Sequence, residues 1–160
     1  MTLGTKRFDD AAVNWQPLWE EGLVAIVHPG HRASRRNEAD FSDFAGDQIL
    51  SFGTSETTRQ AFAAVARATG AVPNVIFSCD DIATLTGLAA AGFGTAVVPE
   101  NLSSGSAGVV RVPLHSTPKR TIGIAFAGSR PLSTAATQFR DAVLTDAPRV
   151  SASLRQSRTK

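Results

Sequence analysis

The sequence has little of what several classes of protein require. Its 160 residues include one cysteine, Cys79, so no disulfide can form within the chain, and this fits a reducing compartment. No apolar run approaches the roughly 20 residues that span a bilayer. The first ten residues carry Lys6 and Arg7 but none of the apolar stretch of a secretory signal. These absences predict a cytoplasmic chain that does not enter a membrane.

The body of the chain also lacks an excess of basic charge, although the sequence pI is about 9.2. Residues 1–148 hold all 14 acidic residues and 12 of the 16 basic ones, a formal net charge of −2. Such a body has no overall attraction for nucleic-acid phosphates. Since the other four basic residues follow Pro148, we predict that residues 147–160 are a disordered basic tail rather than a nucleic-acid-binding arm.

Groups that carry catalysis or hold a metal are scarce. Asp80 and Asp81 precede a helical pattern, and helix capping explains them better than acid–base or metal chemistry. His28 and His31 have the spacing of a turn, with no third ligand evident. Cys79 has no base that the sequence identifies. We therefore predict no catalytic residue, no metal site and no cofactor, and hence a protein that is not an enzyme.

What the sequence does contain is an alternation of short apolar runs and helical patterns. Connections of this length join parallel strands through right-handed crossovers. The region 23–99 is therefore predicted to form a compact parallel α/β lobe. The strand patterns lie at residues 23–27, 49–52, 75–77 and 95–98, with helical patterns at residues 54–70 and 80–92.

The flanking segments do not complete a second lobe of this kind. Residues 110–114 have the pattern of a half-exposed or edge strand, residues 122–126 have that of a further strand, and Ser133 can cap a closing helix. A sheet that begins near Leu23 leaves residues 8–19 as an approach segment. Because Trp15 and Trp19 are costly to leave in water, we expect this segment to pack on material outside the chain.

Several segments, in matching order, resemble the effector-binding domain of LysR-type transcriptional regulators. LWEEGLV at residues 18–24 looks like the crossing into the second lobe of that domain, and residues 27–31 are similar to its strand-ending turn. The most specific stretch is DDIATLTGLAAAGFGTAVVPE at residues 80–100. RPLSTAATQF at residues 130–139 is similar to the closing helix. The resemblance covers residues 14–145.

The resemblance implies an α/β fold of the periplasmic-binding-protein-like (type 2) class. It implies a parallel-sheet lobe plus the returning strand and helix of an incomplete second lobe. The expected divisions are an approach segment or remnant of the first lobe at 1–17, the second effector lobe at 18–100, returning strands and closing helix at 101–146, and the tail at 147–160. The family's winged helix-turn-helix and the start of its first lobe do not precede residue 14, so we expect a truncated member of the family. Such a member would reach DNA only through a DNA-binding domain that this sequence does not contain.

The loop after the second strand pattern is the expected ligand contact. It opens a helix, whose free N–H groups attract anions, and its hydroxyls add donors. From the residues alone, an ordinary Ser/Thr cap remains an alternative. The resemblance implies that the loop lines a cleft between two lobes for a small metabolite, which could be anionic, with one further residue on the returning strand. The expected effector-binding residues are Phe52, Gly53, Thr54, Ser55, Thr57 and Phe126.

The sequence also bears on self-association and on alternative functions. A homodimer, or association through an exposed lobe surface, is expected. A periplasmic-type solute-binding protein shares the bilobal plan but needs a signal peptide, and a non-functional truncated regulator fragment is a further alternative. A small α/β hydrolase or transferase would need a nucleophile, a base and an orienting group, which the candidate residues do not assemble.

Overall fold

The structure, a computed structural model, describes residues 1–5, 12–53, 56–102, 107–115 and 119–156. Two short 3-10 helices, Phe41–Phe44 and Glu100–Leu102, lie between its longer elements. In chain order the strands and helices are β1 (Thr2–Thr5), β2 (Val13–Glu21), β3 (Leu23–Val27), β4 (Gln48–Phe52), α1 (Glu56–Thr69), β5 (Asn74–Cys79), α2 (Ile82–Ala90), β6 (Thr95–Pro99), β7 (Val110–Pro113), β8 (Arg120–Ala127) and α3 (Thr134–Gln156).

The chain divides into two compact units. The first unit joins Met1–Glu21 to Arg120–Lys160, and the second unit is Gly22–Lys119. The sequence suggested boundaries after residues 17 and 100, whereas the chain changes units at Gly22 and again at Arg120. β7 therefore belongs to the second unit and not to the returning segment.

The second unit is built on a five-stranded sheet with the order β5-β4-β6-β3-β7. β4 pairs in parallel with both β5 and β6, and α1 and α2 are the crossovers between them, as the alternation of patterns predicted. β3 is antiparallel to β6 and to β7, so the prediction of a wholly parallel lobe is wrong at Leu23–Val27. A strand buried on both faces has the same apolar pattern in either direction, and mixed sheets are common.

Apolar side chains form a core on each face of this sheet. On one face Ile49 packs in a cluster with Phe62 and Val65 of α1. On the other face Leu50 packs in a cluster with Leu85 of α2. Full burial of side chains of this size contributes about 1.5–3 kcal/mol each. Alternate residues of β4 therefore hold the two helices on opposite faces of the sheet.

The first unit contains a three-stranded antiparallel sheet with the order β1-β8-β2. A bulge between Pro17 and Trp19 interrupts the pairing of β2 with β8. Trp15 lies opposite Ala125, and Trp19 lies opposite Ile122. Because the bulge adds one residue to β2, the two indole rings lie on opposite faces of the sheet instead of sharing one.

The expectation that residues 8–19 form an approach segment is wrong where the structure describes them, because β2 begins at Val13. Both tryptophans are half-buried on the chain's own strands, and an added Cβ at Gly123 would come within 2.5 Å of the Trp15 ring. The bulge and the polar residues of β2 remove the strict alternation that identifies a strand. Residues 8–11 lie outside the described residues.

A buried ion pair joins the end of β2 to the start of β8. Glu21 faces Arg120 directly across the two strands and accepts hydrogen bonds from its guanidinium. The Glu21 side chain is only 3% exposed, and burying a carboxylate is costly unless a cation accompanies it. The pair therefore fixes the register of β2 against β8 beyond the bulge.

The closing helix is longer than the sequence suggested. α3 continues through Pro148, so the prediction of a disordered tail is wrong as far as Gln156, and residues 157–160 lie outside the described residues. A proline removes a single N–H donor from a helix, and here it follows Ala147, which is buried. Packing therefore holds the turn before the proline. No described helix is both long and apolar enough to cross a membrane.

Candidate functional site

Three parallel strands of the second unit end at the same edge of its sheet. β4 ends at Phe52, β5 at Cys79 and β6 at Pro99. The Gly53 N–H donates to the Cys79 carbonyl at 2.9 Å, which ties the turn after β4 to the neighbouring strand. α1 and α2 both begin at this edge. Ligands of open α/β sheets bind outside the carboxyl ends of the strands, so this edge is the candidate site.

The turn from β4 into α1 contains most of the predicted effector-binding residues. Gly53 has a φ of +90°, a left-handed conformation that favours glycine. Phe52 is half-buried and packs against the cluster around Leu85. Thr57 lies in the first turn of α1. Thr54 and Ser55 lie outside the described residues.

Phe126 lies in the first unit, on β8, and is half-buried. The Arg140 guanidinium of α3 sits over its ring, 5.7 Å from the ring centroid. A cation above an aromatic face is attracted by the ring quadrupole. Phe126 therefore has a structural contact within its own unit, and its contact with an effector stays a prediction.

The N-terminus of α2 already holds a carboxylate from the chain itself. The Asp81 carboxylate accepts hydrogen bonds from the Thr84 hydroxyl and, at 2.9 Å, from the Thr84 N–H. The bond from the Thr84 hydroxyl has the larger effect and the bond from the Thr84 N–H the next; both lower the pKa of the Asp81 carboxyl below its usual value. The capping role that the sequence predicted for Asp80 or Asp81 thus belongs to Asp81.

Ser51 is a residue of this edge that the sequence analysis did not single out. It precedes Phe52 on β4 and is only 2% exposed. Within the described part of the chain, its Oγ is buried without a hydrogen-bond partner. Buried hydroxyls almost always have partners. The only signal in the sequence is a hydroxyl inside the otherwise apolar run of residues 49–52.

His31 and Asp47 form a polar cluster elsewhere in the second unit. His31 Nε2 lies 3.0 Å from Asp47 Oδ2, and His31 Nδ1 accepts the Ala33 N–H at 3.1 Å. Both ring nitrogens are therefore committed, which leaves no lone pair for a general base. Asp47 also accepts from the Thr95 hydroxyl at 3.0 Å and pairs with Arg32 at 2.8 Å. The cluster joins a turn to the start of β6, a structural role.

The remaining candidate groups have local partners. His28 Nδ1 accepts the Gly30 N–H at 3.0 Å, and His115 lies 3.4 Å from an Asp40 carboxylate oxygen. The Cys79 thiol donates to the Asp81 carbonyl at 3.4 Å. In the portion of the chain that the structure describes, no three His, Cys, Asp or Glu side chains group as metal ligands would.

Comparisons with known proteins identify the family of the chain. Residues 1–148 match the model of the LysR substrate binding domain. The chain is 25% identical over 134 residues to the uncharacterized HTH-type transcriptional regulator YybE of Bacillus subtilis (strain 168), a match that covers 82% of this chain and 46% of YybE. The chain thus spans about half the length of the curated relatives it matches.

Two solved structures have the same fold. The effector binding domain of QuiR in complex with shikimate has a TM-score of 0.78 at 16% identity, covering 92% of this chain and 71% of QuiR's. The BenM effector binding domain with its effector benzoate has a TM-score of 0.76 at 22% identity, covering 93% of this chain and 70% of BenM's. Both likenesses show the fold, an α/β fold of the periplasmic-binding-protein-like type 2 class.

Proposed function

The chain belongs to the LysR substrate-binding domain family, and on that premise we propose that it is the effector-sensing portion of a transcription regulator. The observation that carries the proposal is the family match over residues 1–148. The relatives that it matches are transcriptional regulators. The proposed role is binding without catalysis, in the cytoplasm.

We place the effector at the carboxyl end of β4. The first N–H groups of a helix have no partners within the helix and carry partial positive charge, so they suit an anion. We propose the start of α1 for the external anion because the family resemblance implies that this loop lines the cleft; the start of α2 holds Asp81. The residues proposed to bind it in the second unit are Phe52, Gly53, Thr54, Ser55 and Thr57.

Phe126 is included in the proposal on the family resemblance alone. It is an aromatic side chain in the first unit, half-buried beside Arg140. Its effect on binding has to be measured separately from that of the second-unit residues. A Phe126→Leu variant preserves an apolar side chain there while removing the ring.

We propose a small carboxylate as the class of effector. The names of two structural neighbours give shikimate for QuiR and benzoate for BenM, and both compounds are carboxylates. A carboxylate offers two acceptor oxygens to backbone N–H and hydroxyl donors, and hydrogen bonds to charged groups are stronger than neutral ones.

Sensing requires that the effector change an equilibrium. A ligand shifts a protein between two arrangements only as far as its affinities for them differ. In the regulator that we propose, such a shift would alter contact with DNA made by a winged helix-turn-helix outside residues 1–160. DNA is thus a partner of the regulator through that head, and the small molecule is the partner of this chain.

We also propose that the chain self-associates, as a homodimer or through an exposed surface. β5 is an edge strand of the described sheet. Its Val75, Ile76 and Phe77 side chains are 41–48% exposed, and the strand carries no charged residue. An apolar edge strand with unpaired backbone groups is a template for pairing with another chain.

A titration followed by ¹H–¹⁵N NMR tests the effector site. Shikimate or benzoate, added up to millimolar concentrations, should shift the amide signals of Phe52, Gly53 and Thr57 along saturable curves. Benzamide, which has the shape of benzoate without its charge, is the matched control and should shift them little. Equal shifts with benzamide, or shifts centred on the start of α2, would contradict the proposed site.

A further inference from the structure

The inner strand β4 contains a hydroxyl that the described structure leaves without a partner. Ser51 is 2% exposed, and its Oγ contacts no hydrogen-bonding group among the described residues. Removing a hydroxyl from water without giving it a partner costs free energy. An alanine at this position would fill the same space without that cost. The serine is therefore unfavourable for the ligand-free fold.

The position of Ser51 connects this hydroxyl to the candidate site. Ile49 and Ser51 point to the same face of the sheet because side chains alternate along a strand. Ile49 packs on that face with Phe62 and Val65 of α1, so Ser51 faces the α1 side. β4 leads directly into α1, and Ser51 is close to the end of the strand where that helix starts.

We propose that Ser51 is a specificity-determining residue whose hydroxyl donates a hydrogen bond to an acceptor oxygen of the bound carboxylate. This inference rests on the proposed function and adds a residue to its site. The hydroxyl gains its partner when the ligand binds, so its unfavourable burial is relieved only in the complex. A site built to hydrogen-bond a ligand oxygen rejects ligands that lack that oxygen.

The experiment uses the full 160-residue chain, the Ser51→Ala variant and a matched control. Ser78→Ala is the control, because Ser78 lies beside Ser51 in the register of β5 with β4 but is exposed. Thermal unfolding is measured without ligand. Binding of shikimate and of benzoate is then measured by NMR titration for each protein.

The proposal makes two linked predictions for Ser51→Ala. The Tm of the ligand-free chain should rise by about 2–4 °C, as expected when a small destabilising effect is removed from a domain of this size. Affinity for the bound carboxylate should fall about 10- to 100-fold, the loss of one hydrogen bond to a charged group. Ser78→Ala should leave the affinity unchanged.

The contradicting outcomes separate this inference from the proposed function. Wild-type affinity in Ser51→Ala would overturn the role of Ser51 and leave the effector site standing. A lower Tm for ligand-free Ser51→Ala would show that the hydroxyl has a partner within the chain, which also overturns the inference alone. If the wild-type chain binds neither carboxylate, the proposed function and the role of Ser51 are overturned together.

Discussion

At the residue scale, two short polar side chains at one sheet edge differ in their hydrogen-bond partners. Asp81 accepts hydrogen bonds from the first turn of α2, while the Ser51 hydroxyl has no partner among the described residues. The cap was predictable because an aspartate just before a helical pattern acts through its immediate neighbours. The burial of Ser51 was not predictable, because it depends on strands and a helix that are distant in sequence.

The lowered pKa of Asp81 predicts a dependence of stability on pH. The ordinary pKa of the carboxyl is 3.8, and the folded chain lowers this pKa, so its contribution to stability is complete above about pH 5 and is lost as the pH falls through the folded pKa. Asp81→Asn keeps a capping oxygen but does not titrate. The difference in Tm between wild type and Asp81→Asn, measured by circular dichroism, should therefore shrink as the pH falls from 6 to 3. A difference in Tm that is the same at both ends of this range would contradict the account.

At the scale of elements, the local patterns identified most strands and helices but not their directions or interruptions. β3 was recognised with its observed bounds, Leu23–Val27, yet its antiparallel direction is set by pairing with β6 and β7. β2 was missed because its bulge breaks the alternation of side chains. α3 continues past Pro148 because the packing of a helix can outweigh a local stop signal.

The packing of β2 on β8 predicts unequal effects of two glycine substitutions. In Gly123→Ala the new Cβ would come within 2.5 Å of the Gln16 carbonyl oxygen and of the Trp15 ring, and forcing an atom into such a site costs about 1–3 kcal/mol. Gly87→Ala, in α2, meets nothing within 4 Å and should stabilise the chain by about 0.5–1 kcal/mol. Urea unfolding of both variants measures the free energies. A Gly123→Ala variant as stable as wild type would show that Trp15 does not pack closely over Gly123.

At the scale of the whole molecule, family and fold class were accessible from the sequence because many segments matched in order. The division into two units was harder to predict from the sequence, because the boundary at Lys119 depends on the pairing of β7 with β3. The predicted effector-binding site stays a prediction. Phe52, Gly53 and Thr57 lie together where β4 leads into α1, Phe126 lies in the first unit, and Thr54 and Ser55 fall outside the described residues.

The exposed edge of β5 predicts self-association that one charge should weaken. In Ile76→Lys a charged group replaces an apolar side chain that is 48% exposed on this edge, and charges on edge strands oppose pairing. Sedimentation velocity across a range of concentrations should show wild type shifting to a larger species and Ile76→Lys remaining smaller. Phe139→Lys, at a position 51% exposed on α3, is the control and should sediment like wild type. Identical behaviour of all three proteins would exclude β5 as the surface.

The most direct measurement for the central claim is a crystal structure of this chain grown with shikimate or benzoate. The carboxylate group should lie within hydrogen-bond distance of backbone N–H groups where β4 leads into α1, with one of its oxygens beside the Ser51 hydroxyl. A carboxylate bound at the start of α2, or only on surfaces away from the end of β4, would contradict the central claim.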